Sequence, residues 1–405
     1  MTGYTLLPTP TSKRFLGGVM SAEVLLPASD GSLAPLSMGP PAELVVPSTP
    51  ATSRVAFAAA HVVPDPVRAS GDGAPCPIDW DATMALRHRL WDAGLGVAES
   101  MDTAQRGMGL DWPAARELAR RTLAEARTRG ADVVVGISTD QLAEHAGGVR
   151  AVRDAYLEQL ADIESLGGGT VLMASRALAA RAAGPDDYLE VYGDVLRAAS
   201  QPVVLHWLGE AFDPALAGYW GHPEPGKAME VVLDLITEHR SRVRGIKLSL
   251  LDDALERELR SRLPAGVHLF TGDDFHYTDL IAGDGEHHSD ALLGAFAVVG
   301  RHAAAALAEL DAGRVDGFRG ILAPTEPLSR LVFAAPTRFY KVGVAWLAYL
   351  DGAQEHFRML GGLESGRSLG HLGDLVRAAD GIGLFRDPEV AAHRAGRYFA
   401  VHGIG

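Results

Sequence analysis

Cysteine is almost absent from this sequence: Cys76 is the only one in 405 residues. A single thiol excludes an internal disulfide framework and fits a reducing cytoplasm, and between Pro75 and Pro77 it reads as an incidental loop residue. Positive charge is also short, with 37 Lys and Arg against 51 Asp and Glu and a formal net charge of -14. That balance excludes sequence-independent capture of nucleic acid or of an anionic membrane surface, both of which need basic patches. No stretch approaches 18 uninterrupted apolar residues, and the N-terminus has no basic segment leading into an apolar run. A cytoplasmic protein without a membrane span is therefore expected. No glycine-rich fingerprint follows a strand-like run, and Gly167-Gly168-Gly169 precedes one, the wrong order for cradling phosphate. No NAD or other cofactor is expected. H-x-H and H-E-x-x-H spacings are missing too, so no metal is assigned.

What is present is an ordinary globular composition, 47% hydrophobic and 22% charged. Residues 1–53 are rich in Pro, Gly and Ser, with β-type runs at Ala22–Leu26 and Ala42–Val46. They read as a β-ribbon ahead of the main domain, placed to plug one barrel end or an interface. From Arg54 onward, strand-like runs alternate with amphipathic segments such as Trp112–Arg129. The runs are Val55–Ala60, Gly96–Ser100, Asp132–Ile137, Thr170–Ala174, Pro202–Leu208, Val243–Ser249, Val267–Thr271 and Ala291–Phe296. Eight strands alternating with helices predict an α/β protein, a (β/α)8 barrel over 54–300, rather than a doubly wound sheet of five or six strands. Helical text at Ala303–Ala312, Pro327–Phe333 and Val342–Leu350 predicts a C-terminal helical extension over 301–405. Its apolar runs suit contacts between helices or between subunits.

In a barrel the chemistry lies at the carboxyl ends of the strands. Val243–Ser249 carries Lys247 there, on a strand with no comfortable place for an ammonium. Burial lowers a lysine pKa, and the free amine is a nucleophile that forms a Schiff base with a carbonyl. The other strand ends supply His61; Glu99, Ser100, Asp102, Thr103 and Arg106; Ser138, Thr139 and Asp140; Ser175 and Arg176; His206 and Trp207; Ser249; and Asp273, Asp274 and His276. A mouth this polar is expected of an enzyme. Asp102, Asp140, Asp273 and Asp274 also suit capping, His61 suits an end-of-strand hydrogen bond, and His287-His288 suit solvent.

Gly245-Ile246-Lys247 followed by Thr271-Gly272-Asp273-Asp274 resembles the dihydrodipicolinate synthase and N-acetylneuraminate lyase superfamily. Pro202–His206, Gly96–Thr103 and Phe339–Val344 extend the resemblance in order over about 54–350. It implies a barrel with a helical extension, a Schiff base on the strand-six lysine, and dimers or tetramers. The sequence departs from the pattern at His206, where the superfamily carries a proton-relaying tyrosine. It departs again at Ala98–Thr103, where a Gly-Thr-Thr-Gly-Glu turn would hold a carboxylate. The arginine that commonly follows strand five is missing from 208–214.

The expected activity is a class I lyase or aldolase acting on a small carbonyl compound, a 2-oxo acid or a keto-sugar. Lys247, His206 and Glu99 are its expected catalytic residues. Asp102, Thr103, Arg106, Arg176, Ser249, Asp273, Asp274 and His276 are expected to bind substrate. The two arginines would replace the missing carboxylate turn; if neither reaches the cavity, a neutral keto-sugar is favoured. One alternative is a metal-dependent barrel isomerase, epimerase or lyase using Glu99, His206, Asp273 and His276. Another is a small-molecule-binding barrel without catalysis.

Overall fold

A parallel strand enclosed by helices on one side and by its own barrel on the other is buried on both faces. Its residues then read as one apolar run, and their alternation emerges only in three dimensions. The computed structural model describes residues 22–68, 77–142 and 147–404, so Cys76 lies outside the described residues. Two N-terminal strands come first, β1 (Glu23–Pro27) and β2 (Leu33–Ser37). Then follow β3 (Ala56–Ala59), β4 (Gly96–Glu99), β5 (Val133–Ile137), β6 (Gly169–Leu172), β7 (Val203–Leu208), β8 (Val243–Ser249), β9 (His268–Thr271) and β10 (Asp290–Leu293). These eight are parallel and close in chain order, with β10 pairing back onto β3. The (β/α)8 barrel expected from the eight apolar runs is the fold.

The enclosing helices are α1 (Trp80–Asp92), α2 (Trp112–Arg129), α3 (Val149–Ser165), α4 (Arg176–Arg181), α5 (Pro185–Ala198), α6 (Pro225–Glu238), α7 (Asp253–Arg262), α8 (Tyr277–Ala282) and α9 (Phe296–Asp311). Beyond them lie α10 (Val315–Leu322), α11 (Glu326–Val332), α12 (Tyr340–Leu350), α13 (Leu369–Gly381) and α14 (Pro388–Val401). Part of the acidity is used at helix starts, where an aspartate oxygen accepts an otherwise unpaired amide: Asp79 caps α1, Asp111 α2, Asp252 α7 and Asp387 α14. Helix α9 runs through the expected boundary at 300/301.

Inside the barrel, Phe57, Ala59, Ala98, Val134, Val171, Val204, Phe270 and Leu292 form one buried cluster. Their strand neighbours Ala58, Val97, Val133, Val135, Leu172, Leu205, Ile246, Leu248 and Leu293 pack outward against the helices. This parity fixes the direction of each polar residue at a strand end. Lys247 stands between outward Ile246 and Leu248 and points inward, whereas Glu99 follows outward Val97 by two residues and points away.

The N-terminal ribbon differs from expectation in its second strand and in its seat. β1 pairs antiparallel with β2, from Glu23 opposite Ser37 to Pro27 opposite Leu33, and Ala42–Val46 is not a strand. The turn is made by Asp30-Gly31, where Gly31 has φ +86° and the Asp30 carboxylate accepts the Ser32 amide at 2.9 Å. The ribbon does not plug the barrel; it lies on α13 and α14. Arg377 donates from Nη1 to the Pro27 carbonyl and from Nη2 to the Leu26 carbonyl, each at 2.8 Å. A Cβ at Gly373 would stand 1.9 Å from the Pro27 carbonyl oxygen, while one at Gly381, on the same helix, would meet nothing within 4 Å. Gly373→Ala should therefore cost about 1–3 kcal/mol by overpacking, whereas Gly381→Ala should be neutral or gain up to about 1 kcal/mol. Denaturant unfolding of the two variants measures both; equal effects would mean that the ribbon does not press on α13.

Candidate active site

Strand β8 delivers Lys247 to the floor of a narrow cavity at the carboxyl end of the barrel. Asp102, Thr103, Ser249, Asp274 and Tyr340 share that cavity, with apolar walls from Met101, Leu208, Phe212 and Phe333. Lys247 is 8% exposed and forms no ion pair among the described residues. Burial lowers its pKa, and the negative charges of Asp102 and Asp274 oppose that shift without cancelling it. Asp274 responds in the opposite sense. Burial raises its carboxyl to about 7, while Lys247 and the hydrogen bond from the Ala295 amide, 2.9 Å from Oδ1, pull it down. Burial thus pushes the amine and the carboxyl each toward its neutral form. Close approach requires Gly272: a Cβ there would lie 2.8 Å from Lys247 Cε and 2.2 Å from Ser249 Oγ.

His206 is paired in register with Lys247 but does not line the cavity. It is fully buried, and burial together with the Lys247 charge pushes its pKa well below the ordinary value. A neutral imidazole results, with Nε2 3.2 Å from Ser249 Oγ, so His206 touches the cavity only through that hydroxyl. It is a support for Ser249 rather than a base in contact with substrate.

Glu99 is not in the cavity. Its carboxylate faces α1 and α2, where Arg87 donates to both oxygens at 2.9 Å, Thr122 donates at 2.6 Å and the Ser100 amide at 2.6 Å. Burial alone would raise this carboxyl, but Arg87 outweighs it and holds the pKa below its ordinary value. What the pair does is anchor the end of β4. The next residue, Ser100, takes φ +54°, and the chain turns so that Asp102 and Thr103 enter the cavity.

The remaining expected residues are engaged elsewhere. Arg106 donates to Asp140, to Gln159 and to the Ser100 and Gly136 carbonyls. Arg176 pairs with Asp213 at the rim, with its side chain 56% exposed. Asp273 accepts the Phe275 and His276 amides as a turn cap, and its other oxygen meets His276 Nδ1 at 3.0 Å. Glu99, His206, Asp273 and His276 therefore do not converge, and no group of three or more His, Cys, Asp or Glu among the described residues is placed to hold a metal ion. His61 is a buried neutral residue 2.7 Å from Gln354, its pKa brought down to about 4 by burial.

The sequence reading missed Tyr340 and Lys341, which come from the helical extension rather than from the barrel. Tyr340 OH lies 2.7 Å from Thr103 Oγ1. Lys341, 3% exposed, donates to the Arg338 carbonyl at 3.1 Å and sits over the Tyr340 ring. Burial lowers its pKa to about 8, opposed chiefly by Asp102. A signal was available: the chain has only four lysines, Lys13, Lys227, Lys247 and Lys341, against thirty-three arginines. A protein that solvates itself with arginine and buries two of its four lysines at one mouth is using the titratable amine selectively.

Solved structures similar to this chain are dihydrodipicolinate synthases. That from Aquifex aeolicus superposes with a TM-score of 0.63 at 14% identity, covering 82% of this chain and 99% of its own. The chloride-inhibited enzyme from Acinetobacter baumannii, complexed with pyruvate, gives 0.61 at 14% identity, with 82% and 100% covered. The Thermotoga maritima enzyme gives 0.59 at 16% identity, with 82% and 99% covered. At such identities the likeness is one of fold. No curated protein matches the sequence. A family model described as "Protein of unknown function (DUF993)" matches residues 24–404.

The two buried cations at this end of the barrel should respond oppositely to removal. Arg87→Met leaves Glu99 buried without its partner and should cost about 3–5 kcal/mol. Lys341→Met removes an ammonium held in a dry site and should stabilise by about 3 kcal/mol at pH 7, from 2.5 pKa units at about 1.4 kcal/mol each. The sign follows from linkage. With a folded pKa of about 8 below the unfolded 10.5, the unfolded chain binds more protons between those values, so wild type gains stability as pH rises through that window. The advantage of Lys341→Met should therefore shrink by pH 10. Chemical unfolding at pH 7 and pH 10 tests this, and a constant advantage would assign it to packing instead.

Proposed function

Because this chain belongs to the DUF993 family and has the fold of the dihydrodipicolinate synthases, we propose that it is a Schiff-base-forming lyase or aldolase with Lys247 as its amine. Its substrate is a small, neutral, hydroxylated carbonyl compound. The observation that carries this reading is the setting of Lys247: inward-facing at the end of a barrel strand, buried, its ammonium disfavoured, with two carboxyl groups in the same cavity.

In the cleavage direction the free amine adds to the carbonyl carbon, and the oxygen leaves as water. The resulting iminium accepts the electron pair of the adjacent C–C bond and becomes an enamine. The β-hydroxyl, losing its proton to a base, becomes the carbonyl of the departing fragment. Asp274, with a pKa of about 7, suits that base and the later return of the proton. Protonation of the enamine carbon and hydrolysis then free the lysine.

A neutral substrate is favoured by what surrounds the amine. A carboxylate entering the cavity would meet Asp102 and Asp274, and both candidate arginines are held by Asp140 and Asp213 outside it. Hydroxyl groups fit better, since carboxylates accept their hydrogen bonds.

Intact-mass analysis after borohydride reduction in the presence of pooled 2-oxo acids, simple aldehydes and keto-sugars tests the reading. Wild type should gain a mass adduct from the sugar or aldehyde pools, and Lys247→Ala should gain none. No adduct from any pool would sink the Schiff base, and an adduct from 2-oxo acids alone would sink the neutral substrate. The pH dependence provides an independent check. Asp274 raises the Lys247 pKa, so Asp274→Asn should move the rising limb of adduct formation to lower pH. No shift, or an upward one, would remove Asp274 from the surroundings of the amine.

A further inference from the structure

Another cavity lies on the outer side of the barrel wall. Ala59 packs into the barrel, while the next residue, Ala60, packs outward. Ala60 lines a cleft among α1, α9 and α12 that shares no lining residue with the cavity of Lys247. Its walls are apolar, formed by Leu86 and Leu90 of α1, Ala297 and Val298 of α9, and Leu347 of α12.

The charge at this cleft runs against that of the chain. In a protein of net charge -14, three guanidinium groups line it, those of Arg89, Arg301 and Arg386. Asp351 serves two of them: it accepts Arg386 Nε at 3.0 Å and stands 3.6 Å from Arg89 Nη1. Arg89 gives another N–H to the Gly352 carbonyl at 2.9 Å. The second carboxylate at the cleft, Asp92, is held by Arg129 at 2.9 Å. His61 adds no charge, being neutral and bonded to Gln354.

Arg301 is left over. It makes no ion pair or hydrogen bond among the described residues, and its Nη1 is shut off from solvent without an acceptor. A charged donor left unmade is costly, so the arrangement favours an anion from outside the chain. Burial and the charge of Arg386 also lower the Arg89 pKa, against the pull of Asp351, so the cations here crowd one another. An entering negative charge relieves that crowding.

We propose that this cleft binds a small monocarboxylate with an apolar body, its carboxylate on the Arg301 guanidinium and its body among α1, α9 and α12. One unpaired guanidinium matches one carboxylate through two parallel hydrogen bonds. The apolar walls favour a hydrocarbon body over a small hydrophilic anion. This site does not depend on the chemistry assigned to Lys247.

Isothermal titration calorimetry of the full chain with octanoate is the test. Wild type should bind octanoate saturably, and acetate and octylamine at least about tenfold more weakly. Arg301→Met, which keeps the apolar stem, should weaken octanoate by about tenfold, and Arg301→Lys should recover part of the loss. Ala348→Phe, which fills the cleft, should abolish binding, while Lys247→Ala should bind as wild type does. Circular dichroism reports whether each variant is folded; if Arg301→Met is not, the ligand series on wild type and Ala348→Phe decide. No saturable octanoate binding by wild type would overturn the site. So would octylamine binding as tightly as octanoate, or undiminished binding in folded Arg301→Met. Loss of octanoate in Lys247→Ala would place the anion in the barrel cavity and overturn it as well. Acetate binding as tightly as octanoate would overturn the apolar body.

Discussion

An amine taken out of water on the inner face of β8 is the constraint to which the rest of the cavity answers. Lys247 has too little solvent to remain comfortably charged, and each neighbour's protonation follows from that. His206, beside it in register, is kept neutral by burial and by the lysine's charge. Asp274 is raised by the same dryness and restrained by the same amine. Gly272 gives up its side chain so that Lys247 Cε and Ser249 Oγ can occupy the space. The cavity is thus one coupled titrating system rather than a set of independent side chains.

The buried Arg87–Glu99 pair shows charge used in the opposite way. Both side chains are fully buried, and both are satisfied by each other and by Thr122, Ser100, Thr83 and the His61 carbonyl. Nothing is left to titrate or to react. Such a pair contributes geometry more than stability, and the geometry it fixes is the turn after β4. The helical extension holds that turn from its other side: Gln105 bonds the Leu360 backbone through both ends of its amide, and Thr103 meets Tyr340. The extension is therefore part of the cavity wall.

This division explains what the amino-acid sequence revealed. Strand positions were legible because β-branched and apolar runs bounded by turn residues mark them well, and Lys247 was legible because a lysine in such a run is anomalous. Direction was not legible, because in runs such as Gly96–Glu99 and Val243–Ser249 no polar alternation separates the inner face from the outer. Glu99 and Lys247 both end a strand, and only the packing of Val97 and Ile246 against helices tells them apart. The arginines were misassigned because their partners, Asp140 and Asp213, are more than thirty residues distant in sequence. Tyr340 was hidden because it belongs to a helix outside the barrel, although the scarcity of lysine had already marked its neighbour Lys341. The turn of the ribbon was readable in Asp30-Gly31, whereas Pro40 and Pro41, which cannot donate to a ladder, stand directly ahead of the second run.

The same coupling argues for the charge of the substrate. Burial pushes Lys247 toward the free amine and Asp274 toward the neutral acid, so the empty cavity is free to do without a fixed ion pair. In the proposed reaction an iminium would end that freedom: the nitrogen would then carry a positive charge that does not leave with pH, inside a cavity that Asp102 and Asp274 also line. Their attraction is stronger for the iminium than for the neutral amine before attack, which is the difference that accelerates a step rather than merely binding its substrate. A substrate carboxylate would supply that negative charge itself and would set it against the two carboxyls already present. The arrangement of acids around one dry amine is therefore suited to a carbonyl compound that acquires its charge only by reacting.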